Sequence, residues 1–146
     1  MARFTHPSFG DTGSLTTTTQ TYTPVWSGTG LAFTGTPAVG KYIQIGKLVH
    51  FNIQVTCTTV TNFGTGQYHL TLPIASAHHY AFRDGGIHHP AQQYHFQLMA
   101  DAEPNTTDMK LYYTASNGLD GAMDHNSPHT LQTADFFYVG GTYISI

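Results

Sequence analysis

Ten histidines, eight carboxylates and a lone cysteine, Cys57, are the groups in this 146-residue chain that could do chemistry. Neutral imidazole is a common metal ligand, so the histidines come first. His78-His79 and His88-His89 are adjacent pairs. On a strand, neighbouring side chains point to opposite faces, so neither pair can share one ion. His50, His69 and His95 fall on the polar side of alternating runs. Only copies of one such residue gathered around a symmetry axis would hold an ion, so no metal is expected from the sequence. Histidines at an assembly surface would instead make ordinary hydrogen bonds, or sense protons.

The carboxylates are equally unpromising as catalysts. Asp101 and Glu103 are followed at once by Pro104-Asn105, which suits a loop edge rather than two acids facing each other across a sugar bond. Asp120 and Asp124 lie in a glycine-containing stretch that could approach calcium, but the spacing is not that of an EF-hand loop. The chain has no Gly-x-Ser-x-Gly elbow, phosphate-binding loop or His-Glu-x-x-His. The reading is a non-enzymatic protein with no catalytic residues, no cofactor and no metal.

Composition narrows the partners. Charged residues are 9% of the chain and aromatics 13%, with a formal net charge of -3. Ordinary globular proteins carry about 25% charged residues, so Thr, Gly, Tyr and Phe have taken their place here. Arg3, Lys41, Lys47, Arg83 and Lys110 are too scattered to neutralise a run of phosphates, and nucleic acid is not an expected partner. No apolar run approaches the ~20 residues that span a bilayer. The segment MARFTHPSFGD lacks the apolar centre of a secretory signal, and an unpaired Cys57 rules out an intrachain disulfide. These features predict a product folded in a reducing cytoplasm, with no membrane partner.

The elements that must position these residues are strands. In Lys47–Cys57, Val49, Phe51, Ile53, Val55 and Cys57 take one face, and Leu48, His50, Asn52, Gln54 and Thr56 the other. That period of two predicts a half-buried strand with the odd positions in the core. Leu70 and Leu72 continue the core from the run Tyr68–Leu72, and Tyr94–Met99 and Met109–Tyr113 add further strands. Asp84-Gly85-Gly86, Asn117-Gly118 and Asp120-Gly121 are expected to make hairpin turns. No helical period is found, and the pattern predicts an all-β antiparallel sandwich or jelly roll over residues 22–146. Residues 1–21 show no sustained period and are expected to form an extended arm.

The run Asp135–Val139 breaks the alternation. Phe136 and Tyr138 face one way, Phe137 and Val139 the other, so both faces are apolar. Two apolar faces need two neighbours, and a second copy of the same chain is the usual supplier. Phe136, Phe137, Tyr138 and Val139 are therefore the expected oligomer interface.

Several of these segments also follow a known order. A Trp-containing strand, Tyr22-Thr23-Pro24-Val25-Trp26, precedes Gly40-Lys41-Tyr42-Ile43-Gln44-Ile45-Gly46-Lys47-Leu48-Val49. A glycine-rich hairpin from Gly64-Thr65-Gly66 to Leu72-Pro73 follows, and the last strand carries Gly141-Thr142-Tyr143. In this the chain resembles a β-sandwich domain of tailed-phage virion proteins, similar to the jelly rolls of the tumour-necrosis-factor and C1q type. The resemblance covers residues 22–146 and does not include the histidines. It implies a homotrimer, found either as a head decoration protein or as a distal domain of tail fibres and minor tail proteins. The first role implies a virion protein that binds the major capsid protein, with Phe4, His6, Phe9 and Leu15 of the arm reaching neighbouring capsid subunits. The second implies a trimer whose loops Asp84–His89 and Asn117–Ser127 meet a cell-surface sugar or protein.

Overall fold

A computed structural model describes residues 18–91 and 93–146. Phe4, His6, Phe9 and Leu15 lie outside the described residues. The elements are β1 (Gln20–Tyr22), β2 (Trp26–Thr29), β3 (Ala32–Phe33), β4 (Ala38–Ile45), β5 (Leu48–Thr56), β6 (Val60–Asn62), β7 (Thr65–Thr71), β8 (Tyr80–His89), β9 (Tyr94–Ala102), β10 (Asp108–Thr114), β11 (Asp120–Ala122) and β12 (Phe136–Ile144). The protein is all-β, and every strand pairing is antiparallel. Gln20 and Thr21, expected in the arm, already pair with Tyr42 and Lys41 of β4.

Ten strands form one sheet in the order β1-β4-β5-β12-β8-β9-β10-β7-β2, with β11 beside β10. β3 and β6 form a separate pair. The free edge of β10 is divided: β7 takes Asp108–Lys110 and β11 takes Tyr112–Thr114. The two ends of the long sheet, β1 and β2, are neighbours in the chain, so the sheet has to curl back on itself. Thr71 of β7 fastens the ends. Its N–H donates to the Val25 carbonyl at 3.2 Å, its hydroxyl accepts from the Val25 N–H at 2.9 Å, and its carbonyl accepts from the Tyr22 hydroxyl at 3.3 Å.

Side chains on the concave face fill the interior. Val49, Phe51, Ile53 and Val55 of β5 are buried with exposed residues strictly between them, as the period of two requires. They join Leu70 and Leu72, both buried, from β7 and its continuation. Aromatic rings bridge the curl: Trp26 of β2 meets Phe137 of β12 edge-on at 5.3 Å, and Phe51 packs between Phe82 at 4.9 Å and Tyr143 at 5.8 Å. Such edge-to-face pairs suit the ring quadrupole. The β4–β5 hairpin closes on Gly46, whose φ of +59° at the first central position is what a tight two-residue turn needs.

Two expected turns are strands instead. Asp84-Gly85-Gly86 lies within β8, where one extra residue is inserted opposite β9 between Phe82 and Gly85. Glycine is required there by space, not by turning. A Cβ on Gly85 would stand 2.8 Å from the Tyr138 carbonyl and 3.0 Å from that of Leu98. Asp120-Gly121 lies in β11, with Gly121 beneath the Tyr113 ring. Asn117-Gly118 does turn, with Gly118 at φ +77° and the Asn117 side chain accepting from the Leu119 N–H at 3.1 Å.

Phe51 sits between two aromatic rings, Phe82 and Tyr143. Phe51→Ala is expected to cost about 3–5 kcal/mol in urea-unfolding free energy, and the exposed neighbour substitution Asn52→Ala less than about 1 kcal/mol.

Candidate functional site

Two features stand out against this frame: the convex face of β4, β5, β12 and β8, and a buried cluster at the start of β12. Register builds the face in rows. Val39, Gln54, Tyr138, Gly86 and Gln97 form one, and Thr56, Phe136, His88 and His95 the next. On the other side come Lys41, Asn52, Gly140 and Asp84, then Ile43, His50 and Thr142, then Ile45, Leu48 and Ile144. Lys41 and Asp84 are the only fixed charges in these rows. Val39 (51% exposed), Ile45 (45%), Leu48 (44%) and Tyr138 (42%) all stand on this face. Their large exposure in a nearly uncharged field distinguishes it from a solvated sheet surface. Shallow grooves cross it, one lined by Tyr42, Ile43, His50 and Asn52, another by Pro37, Val39, Gln54 and Thr56.

The expected interface residues divide. Phe137 and Val139 are fully buried in the chain's own core and have nothing to offer a partner. Curling of the sheet supplies the inner neighbour that the sequence left open. Phe136 is half-buried beneath His88, with ring centroids 4.8 Å apart, and Tyr138 is exposed over Gly86. The two-sidedness of β12 is real, but only its outer half faces outward.

The histidines fall in separate places. His78 and His79 are exposed and precede β8, so they lie in a loop and not on a strand. His79 is 3.6 Å from Asp101. His69 pairs with Asp108 at 2.8 Å, and His50 with the Thr142 hydroxyl at 2.9 Å. His88 and His89 do point to opposite faces of β8. His88 lies against His95 on the convex face, with tilted rings whose centroids are 4.4 Å apart. His89 turns inward beside Ile87. Asp84–His89, expected as a binding loop, is part of β8, so it offers no loop for a receptor.

Inside, His89 meets residues far away in the chain. Its Nδ1 is hydrogen-bonded to Oδ1 of Asp135, immediately before β12. His129 Nε2 reaches Oδ2 of the same carboxylate at 2.9 Å, and the Gln132 N–H donates to Oδ2 at 2.8 Å. The Asp135 side chain is 0% exposed, His89 2% and His129 14%. His129 lies flat on Phe96 at 5.3 Å, while its Nδ1 is buried without a partner. Among the described residues, these three are the His, Cys and carboxylate group with donor atoms close enough to share an ion, all within 4.8 Å. Asp120 is exposed on β11, and Asp124 accepts from the Asn126 N–H at 2.7 Å. The sequence signal for the cluster was faint. An imidazole on the inward parity of β8 must find a polar partner, but nothing local says which.

Cys57 adjoins the cluster, its N–H donating to the Asp135 carbonyl at 2.9 Å. Burial pushes its thiol up to about 12, and the Asp135 carboxylate adds to the shift. It remains a protonated core residue and neither ligand nor nucleophile. Burial also raises the phenols of Tyr22, Tyr68 and Tyr143, the last to about 12 despite its hydrogen bond to the Ile74 carbonyl.

Comparison with protein families, curated proteins and solved structures found no match. Among the described residues, no helix is long and apolar enough to cross a membrane.

Two outcomes follow from the burial of these groups. Ellman's reagent is expected to leave Cys57 unmodified at pH 8 in the folded protein and to titrate one thiol per chain in guanidinium. The raised thiol and phenols keep protons in the folded chain that the unfolded chain releases. Stability from them is therefore full below pH 9 and falls as pH rises toward 12, read as a declining urea midpoint.

Proposed function

We propose that this chain is a non-enzymatic structural protein of a tailed-phage particle: a jelly-roll homotrimer that decorates the head shell and binds its major capsid protein. The convex face carries the reading. Sheet faces left to water alternate inward-apolar with outward-polar residues. Here the outward positions of β4, β5 and β12 are Val, Ile, Leu, Tyr and Phe as often as they are polar. Covering that face with two sibling copies around a threefold axis buries Val39, Ile43, Leu48, Phe136 and Tyr138. The ordered strand segments that resemble phage virion domains support the same assembly.

On the shell, a trimer contacts several capsid subunits at once. Weak individual contacts become strong together, because each later one is intramolecular. The arm adds to this, with Phe4, His6, Phe9 and Leu15 reaching onto adjacent subunits. Decoration is preferred to a receptor-binding tail tip because Asp84–His89, one of the two segments that role would use, is paired strand.

Quantitative mass spectrometry of purified particles tests the role. The decoration reading expects copies in fixed proportion to the major capsid protein, one trimer per local threefold. A few copies per particle would place the chain at the tail. Tyr138→Arg brings three charges onto the covered face and is expected to weaken trimer assembly by about 2 kcal/mol or more. Deleting residues 1–15 is expected to abolish shell binding and leave the trimer intact.

A further inference from the structure

We propose that His89, His129 and Asp135 form a binding site for one zinc ion per chain, which ties the end of β8 and the loop before β12 to the start of β12. His89 comes from β8, His129 and Asp135 from the loop before β12, and the three donors meet at one buried point. The geometry suits a small dication. Metal–ligand bonds of about 2.0–2.2 Å in a tetrahedral site put donor atoms roughly 3.3 Å apart. Here the donor atoms lie within 4.8 Å of one another, with His129 Nε2 2.9 Å from Oδ2 and His89 Nδ1 against Oδ1, so small side-chain rotations bring them to that spacing. Two imidazoles and one carboxylate are a donor set that favours zinc over calcium or magnesium, which prefer oxygen alone.

Charge argues the same way. A fully buried carboxylate needs a positive partner, and no Lys or Arg side chain pairs with Asp135 among the described residues. One protonated imidazole would be enough to neutralise it. The convergence of two imidazoles on one carboxylate exceeds what an ion pair needs and matches what a metal needs. On binding, each ring gives up any proton on the nitrogen that faces Asp135, to its other nitrogen in a neutral ring or to solvent from a protonated one, and turns that lone pair toward the ion. Asp135 gives up the ring hydrogen bonds and keeps the one from the Gln132 N–H, which orients the carboxylate from outside the coordination sphere. His129, the partly exposed member, leaves the open side where water completes four-coordination.

The test uses the full chain, stripped with EDTA and then titrated with zinc against a chromophoric chelator. One zinc per chain is expected, with a rise in melting temperature that EDTA reverses. His129→Gln is expected to weaken binding by more than about 100-fold, since even outer-shell losses cost about 10–100-fold. His78→Ala/His79→Ala, at the exposed pair, is expected to leave binding unchanged. Cobalt loading of the unmutated chain provides a readout independent of variant folding. An intense visible band of four-coordinate cobalt is expected. Binding lost in the His78/His79 variant but kept in His129→Gln would overturn the proposal. So would the weak spectrum of octahedral cobalt, or no binding at all.

Discussion

The pairing of β12 with β5 on one side and β8 on the other is the constraint that the rest of the structure depends on. Nine consecutive residue pairs join β12 to β5, from Phe136 opposite Thr56 to Ile144 opposite Leu48. Packing of Phe137 against Trp26, and of Tyr143 against Phe51 and Phe82, fixes that register. A slip of one residue would exchange the two faces of the strand and put these aromatics in water. Because the inner face is settled, the outer one is settled too. Phe136 and Tyr138 have to stand on the convex surface, Tyr138 in the row of Val39, with Ile43 and Leu48 further along the same face. The apolar exterior follows from a core that the curled sheet completes by itself.

The same strand joins the exterior to the buried cluster. Asp135 holds His89 and His129 from inside, and the next residue, Phe136, carries His88 outside. An ion at Asp135 would stiffen the entry to β12, and with it the edge of the convex face. Metal binding and assembly would then act on one element, although neither requires the other. Cys57 lies at the same junction, where its backbone ties the end of β5 to Asp135.

Much of the fold was legible because it is local. Strict alternation in Lys47–Cys57 names the buried side of β5 without any tertiary knowledge, and Val49, Phe51, Ile53 and Val55 are all inside. The glycine pairs were less legible. Asp84-Gly85-Gly86 has the composition of a turn, but it is a strand interior where two backbone carbonyls approach too closely for a Cβ. Sequence cannot separate a glycine chosen for its dihedral from one chosen for its size. Phe137 and Val139 were assigned to a partner because a single strand does not say that its own sheet will curl over it. The cluster was hidden for a similar reason. His89, His129 and Asp135 meet only after β8 and the 125–135 loop have been brought to β12 by pairing, and adjacency in sequence pointed instead to His88-His89.

The central claim is that sibling copies cover the convex face. Sedimentation equilibrium of the purified full chain at micromolar concentration tests it most directly. The account predicts a single species of three times the chain mass that persists on dilution. A well-folded, freely soluble species of one chain mass, with Tyr138 open to solvent, would contradict it.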